Sequence, residues 1–182
     1  MRIIAGAWRG RILKAPPGGT TRPTGQRMRQ AIFDMVMHAP WGGRNLLDGA
    51  RVLDGFAGTG AMGLEALSRG AASCVFMERD AAAVAALRAN ISGCKAGDIA
   101  QVFVTDMCRP PAGEGQNLIF LDPPYDQGLL PAAVSALRAK GWAVPGSVVV
   151  AETGRLEEPW QDGVMLAHKV HGAAQVNVWL EG

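Results

Sequence analysis

The sequence predicts an α/β fold built on a mostly parallel twisted sheet covered by helices, and three observations carry that expectation. Between residues 51 and 151, short apolar runs of strand character alternate with stretches of helical periodicity, the pattern of strands joined by crossover helices. A glycine-rich turn, Gly58-Thr59-Gly60 with Gly63 beyond it, separates the first of these strands from its helix. A later apolar strand, Asn117 to Leu121, ends on Asp122-Pro123-Pro124-Tyr125, a polar tetrapeptide at the carboxyl edge where open parallel sheets bind ligands.

The elements follow in order. Ile3, Ile4, Trp8, Ile12 and Leu13, with Gly6 and Gly10 among them, suggest a short hairpin whose arginines project outward. Ala15-Pro16-Pro17-Gly18-Gly19 breaks the pattern. From Thr24, a suitable N-cap, to His38, the positions of Met28, Ile32, Met35 and Val36 predict a helix that Pro40 and Gly42-Gly43 close. Strands are expected at 51–56, 74–77, 102–104, 117–121 and 147–151, with helices at 61–68, 81–90 and 129–140 between them. The unbroken Val148-Val149-Val150 suits a strand buried on both faces. Val164 to Val170 and Gln175 to Leu180 have no helix between them and are expected to form a terminal antiparallel pair.

The 182 residues fit one domain, with 1–20 as a basic hairpin extension and 21–182 as a catalytic body with its leading helix. No apolar run approaches the roughly 20 residues of a membrane helix. The stretch Met1 to Gly6 is too short to be a secretory signal, so a cytoplasmic protein is expected. Cys74, Cys94 and Cys108 form no C-x-x-C pair and read as free thiols. His38, His168 and His171 share no metal-like spacing with cysteines or carboxylates, so no metal is expected. Trp41, Trp142 and Trp160 lie near element ends and read as packing residues.

Charge is segregated. Residues 1–30 hold seven of the 18 basic side chains and no acid, while the remainder carries 11 basic against 16 acidic residues, a net of −5. Arg2, Arg9, Arg11, Arg22, Arg27 and Arg29 thus form a basic arm ahead of a mildly acidic body. Such arms meet phosphate, because each Lys or Arg that neutralises one releases counterions; a solvated basic surface would look the same in composition.

The glycine turn is a nucleotide-cofactor address. Glycine lets the backbone approach a ligand, and the helix start that follows offers free N–H groups. The spacing Gly58-x-Gly60-x-x-Gly63 also matches the dinucleotide fingerprint, so two acids narrow the choice. Asp54, ending the first strand, would repel a pyrophosphate but could face an ammonium or sulfonium group, which favours S-adenosylmethionine over NAD. Glu78, ending the second strand, can accept bonds from ribose hydroxyls in either cofactor. Asp106 could accept a bond from an adenine amino group while Met107 packs on the ring.

The tetrapeptide points to a reaction. An exocyclic amino group is a poor nucleophile because its lone pair is delocalised into the base, and attack on a methyl carbon is eased where both N–H bonds find acceptors. Asp122 offers a carboxylate and Pro123 a carbonyl, and the fixed φ of Pro123 and Pro124 holds these acceptors still. Tyr125 can stack on an extruded base. The residues fit methyl transfer to an amino nitrogen. A DNA adenine-N6 or cytosine-N4 methyltransferase shares that chemistry, and an NAD-dependent oxidoreductase or an RNA-binding protein with an inactive cofactor fold are the readings from other classes.

The opening Arg2-Ile3-Ile4-Ala5-Gly6-Ala7-Trp8-Arg9-Gly10-Arg11, the stretch Arg22-Pro23-Thr24 through Arg27-Met28-Arg29 to Ile32-Phe33, Val52 to Ala71, Asp122 to Tyr125, and Gly172 to Trp179 span nearly the whole chain. Together they resemble the bacterial small-subunit (16S) ribosomal RNA guanine-N2 methyltransferases. The resemblance implies a Rossmann-like class I methyltransferase fold with helices on both faces of the sheet. It implies S-adenosylmethionine held by Asp54, Phe56, Ala57, Gly58, Thr59 and Gly60, by Glu78 with Arg79, and by Asp106 with Met107. It further implies catalysis at Asp122, Pro123, Pro124 and Tyr125, and a basic arm that holds 16S ribosomal RNA or an assembling small subunit; a monomer is expected. The chain departs from the family pattern at Gln30, where an acid is usual, at Gly25-Gln26, and at Cys108-Arg109-Pro110-Pro111.

Overall fold

A computed structural model describes residues 1–16, 24–41, 44–124, 127–160 and 162–182. The first 13 residues form the expected hairpin: Arg2 and Ile12 pair in an antiparallel bridge, and the Ile3 and Leu13 N–H groups donate to the Arg11 and Met1 carbonyls at 2.9 and 3.0 Å. Ile3 and Leu13 turn inward, while Arg2, Arg9 and Arg11 are exposed. Gly6 takes φ of 80°, and a Cβ there would lie 1.7 Å from the Ser68 carbonyl oxygen, so this turn rests on a helix of the body at a distance only glycine allows.

Helix α1 (Thr24–His38) buries Met28, Ile32, Phe33, Met35 and Val36. A four-residue helix, α2 (Arg44–Leu47), follows. It was not expected, since one turn is too short to show periodicity. The body then alternates through β1 (Arg51–Gly55), α3 (Ala61–Ser68), β2 (Ser73–Glu78), α4 (Ala81–Cys94), β3 (Ala100–Val104), β4 (Leu118–Leu121), α5 (Leu129–Ala139) and β5 (Val148–Gly154). It closes on β6 (Val164–His171) and β7 (Ala174–Leu180). Helix α4 runs beyond the expected Asn90 to Cys94, where Lys95 terminates it in the left-handed conformation.

The seven strands lie in the order β3-β2-β1-β4-β5-β7-β6, parallel from β3 to β5. The terminal pair is antiparallel as expected, and β7 also pairs antiparallel with β5, which carries the last segment into the sheet. Alternate side chains of each inner strand enter two cores. Val52, Phe120, Val148 and Val150 meet α1, α3 and α4 on one face, and Leu53, Ile119, Leu121 and Val149 meet α5 and Trp142 on the other. Among the described residues no helix is long and apolar enough to cross a membrane. Cys74, Cys94 and Cys108 are free thiols, all held above the usual cysteine range by burial.

β1 and β4 are neighbours although their connections leave in opposite directions, so a crevice opens at their carboxyl ends. Gly55 pairs with Leu121, which sets the glycine turn and Asp122 side by side at that edge.

Candidate active site

The turn after β1 begins with backbone strain: Phe56 takes φ of 57°, in the left-handed region that few non-glycine residues occupy. Phe56 is held there because the next residue, Ala57, donates to the Met77 carbonyl on β2 at 3.0 Å, and Gly60 closes the turn on Ala57 at 2.7 Å. Gly63 sits in the first turn of α3, where a Cβ would come within 2.4 Å of Phe76 and 2.5 Å of Cys74. A side chain at this position would push α3 off the sheet and lift the loop with it.

Three carboxylates converge on the turn. Asp54 is only 3% exposed, and its carboxylate accepts the Gly63 N–H at 2.8 Å. Burial pushes its pKa up to about 8; the Gly63 bond opposes the rise, whereas the charges of Asp122 and Glu78 add to it. Glu78 accepts the Gly58 N–H at 2.8 Å through one oxygen and the Arg79 and Asp80 N–H groups at 2.7 and 2.8 Å through the other. It therefore ties the glycine turn to the end of β2. Asp122 is exposed at the end of β4, beside a buried Pro123 and an exposed Pro124. The negative charge collected here suits a cationic ligand and disfavours a pyrophosphate.

At the neighbouring edge, Arg79 and Asp106 approach to 3.5 Å, both open to solvent, and the other Asp106 oxygen accepts the Cys108 N–H at 2.9 Å. The structure thus brings together Asp54, Phe56, Ala57, Gly58, Thr59, Gly60, Glu78, Arg79, Asp106, Asp122, Pro123 and Pro124 at one end of the sheet. Tyr125 and Arg22 lie outside the described residues.

Three expectations change. Asp54 does not stand open to a ligand: its side chain lies beneath the turn and holds the start of α3. Met107 is 2% exposed and packs under Gly55 in the core with Leu53, Met77 and Leu121, so its side chain is not free to cover a ring. Arg29 is 3% exposed, so it is withdrawn from phosphate. Its guanidinium donates to the Arg2 carbonyl at 2.6 Å and lies 3.8 Å from Glu65, and burial lowers its pKa despite that partner. The position falls on the inner face of α1, between Met28 and Ile32, whereas Arg27 stays exposed. At Gln30, where the family pattern usually has an acid, the side chain bonds Asp34 one turn on, at 2.6 Å.

Sequence reasoning missed what holds the arm. Glu65 is fully buried and accepts the Ile4 and Ala5 N–H groups at 2.7 and 3.0 Å and the Arg69 guanidinium at 2.7 Å. Ser68 accepts from Trp8 at 2.9 Å and donates to Ala5 at 2.6 Å. The signal was present in Ala61-Met62-Gly63-Leu64-Glu65-Ala66-Leu67-Ser68, where one charge interrupts an apolar helix.

Comparison with known proteins follows the same architecture. The family profile described as Conserved hypothetical protein 95 matches residues 1–180. The Bacillus subtilis protein YlbH, whose name assigns it provisionally to the rRNA methyltransferases, is 35% identical over 98% of both chains. Ribosomal RNA small subunit methyltransferase D of Escherichia coli K12 is 38% identical over 84% of this chain and 74% of its own. The solved structure of the Escherichia coli protein yhhF superimposes with a TM-score of 0.84 at 33% identity, covering 100% of this chain and 97% of the other. The fold is the Rossmann-like α/β fold of methyltransferases.

Proposed function

Because the chain belongs to the family described as Conserved hypothetical protein 95, we propose that it is an rRNA methyltransferase, and that it methylates the exocyclic N2 of a guanine in 16S ribosomal RNA using S-adenosylmethionine. The observation that carries this reading is the pairing of Gly55 with Leu121, which sets the cofactor turn against Asp122-Pro123-Pro124 at the topological switch of the sheet.

The residues fit the cofactor on their own chemistry. Asp54 sits in a cluster of like charge that helps hold its pKa at about 8, and a cation at the turn relieves that cluster. The bound cofactor supplies an activated methyl group on a cationic sulfur. The protein's part is placement: the Gly58–Gly60 turn and the α3 N-terminus, fixed by Glu78 and Asp54, would hold the donor, with Arg79 and Asp106 as further contacts. Asp122 and the Pro123 carbonyl accept the two amino hydrogens and aim the nitrogen lone pair. Asp122, exposed at the end of β4, would take the proton that the amino nitrogen sheds on methylation and pass it to solvent. Proximity and alignment supply most of the rate, and the electrophile needs no metal to activate it.

Arg2, Arg9, Arg11 and Arg27 are exposed and provide the phosphate-binding arm, with Arg22 as a further candidate. The whole chain works as one domain and as a monomer, since a single sheet edge supplies both halves of the site. Labelled donor offered to 16S RNA, small subunits and duplex DNA tests the assignment. Label is expected in the ribosomal substrate; labelling of DNA alone overturns it.

A further inference from the structure

The arm and the cofactor turn are far apart in sequence, yet one buried amide joins them. Asn90, on the penultimate turn of α4 and 4% exposed, accepts the Lys14 N–H at 2.7 Å through Oδ1. Its Nδ2 donates to the Lys14 carbonyl and to the Thr59 carbonyl, each at 3.0 Å. Both amide hydrogens and one oxygen lone pair are therefore used, and two of the three bonds clasp the Lys14 backbone from both sides of its Cα, where the chain leaves the hairpin, while the third fixes the tip of the glycine turn. A planar amide cannot change one contact without disturbing the others. The Arg11 guanidinium also donates to the Gly93 carbonyl on the last turn of the same helix, so the basic hairpin has a second anchor on α4.

We propose that Asn90 is a positioning residue that couples RNA on the basic arm to cofactor affinity at the Gly58–Gly60 turn. This rests on the methyltransferase reading above. Phosphate on Arg9 and Arg11 restrains the hairpin, the Lys14 peptide is held against Asn90, and the amide holds the Thr59 peptide in the conformation that receives the donor. Because coupling between two bound ligands is reciprocal, a filled cofactor site tightens the grip of the arm on RNA by the same factor. Substrate and donor then reinforce one another before any chemistry.

Asn90→Asp tests this. It keeps the shape and the Lys14 N–H bond but sets a carboxylate oxygen against the Lys14 and Thr59 carbonyls, which breaks the link. S-adenosylhomocysteine is titrated into the full chain with and without saturating small ribosomal subunits from cells that lack this protein. Wild type is expected to bind it about five-fold or more tightly when the subunit is present, and the variant to show a ratio near one whatever its absolute affinity. Asn90→Ser, too short to reach both peptides, is the second variant, and thermal unfolding confirms that whichever is used is folded. A purely structural amide would lower stability and leave the ratio intact. An unchanged ratio in either folded variant, or a wild-type ratio of one, overturns the coupling. Failure of wild type to bind S-adenosylhomocysteine at all is a different result, which removes the methyltransferase reading and this inference with it.

Discussion

The carboxylate of Asp54 accepts the N–H of Gly63 at 2.8 Å from beneath the glycine turn, so a single buried acid fixes where α3 begins. Its raised pKa has a direction that can be measured. The folded chain holds the Asp54 proton up to about pH 8, whereas an unfolded aspartate releases it near its ordinary value of 3.8. The unfolded state is thus favoured progressively as pH rises through that window, and Asp54 lowers stability from about pH 4 to about pH 8. Asp54→Asn can keep the Gly63 bond through its carbonyl oxygen, and is expected to flatten the fall in melting temperature across this range. It should also weaken S-adenosylmethionine and remove the gain in affinity that wild type shows as pH rises towards 8. A melting profile identical to wild type would place the proton elsewhere.

Glu65 joins the hairpin to the body and neutralises two arginines. Replacing it with alanine leaves Arg29 and Arg69 as buried cations without their acid, which costs about 3–5 kcal/mol. Glu65→Gln retains an acceptor for the hairpin N–H groups and should cost less. Urea unfolding ranks the two variants, and proteolysis should cut the first 13 residues faster in the alanine form. Equal stability of both variants and wild type would contradict the anchoring role.

Exposed and buried arginines in the same basic segment should behave differently. Arg9→Ala with Arg11→Ala is expected to weaken RNA binding and to reduce the magnitude of the log-affinity against log-salt slope by about one for each phosphate no longer neutralised. Arg29→Met should lower the melting temperature and leave that slope unchanged, because its charge faces Glu65. Filter binding over a salt series separates the two. An unchanged slope in the Arg9 and Arg11 double variant would remove them from the interface.

Asp122→Ala removes one acceptor for the amino group at the moment its lone pair is needed. A fall in kcat on the order of 100-fold is expected. Affinity for S-adenosylmethionine should stay within a few fold, since the turn and Glu78 are untouched. Full activity in the variant would make the tetrapeptide a rigid turn and nothing more.

Much of this was legible in the sequence because local pattern and tertiary placement agree there. The alternation from Arg51 to Ala151 pointed to the parallel sheet, since inner strands buried on both faces read as unbroken apolar runs. The glycine turn and Asp122 could be assigned to one edge because both follow strands. Side-chain partners were not legible. Arg29 falls at helical spacing from Ile32 and Val36, on the inner face of α1, but the buried acid that lets an arginine sit there, Glu65, lies on another helix and does not show in that spacing. Met107 follows Asp106 in the loop after β3 but turns into the core below Gly55, a choice made by the space that a glycine leaves at the end of β1, two strands away. Asn90 reads in sequence as the end of a helix and is instead a contact between two loops 31 and 76 residues away.

The central claim is that this chain methylates the N2 amino group of a guanine in small-subunit ribosomal RNA. Mass mapping of 16S RNA from cells with the intact gene, without it, and with Asp122→Ala restored in its place tests that claim most directly. One N2-methylguanosine is expected to be present in the first, absent in the second and strongly reduced in the third. The same complement of N2-methylguanosine in all three, or a loss of methylation confined to DNA, would contradict the account.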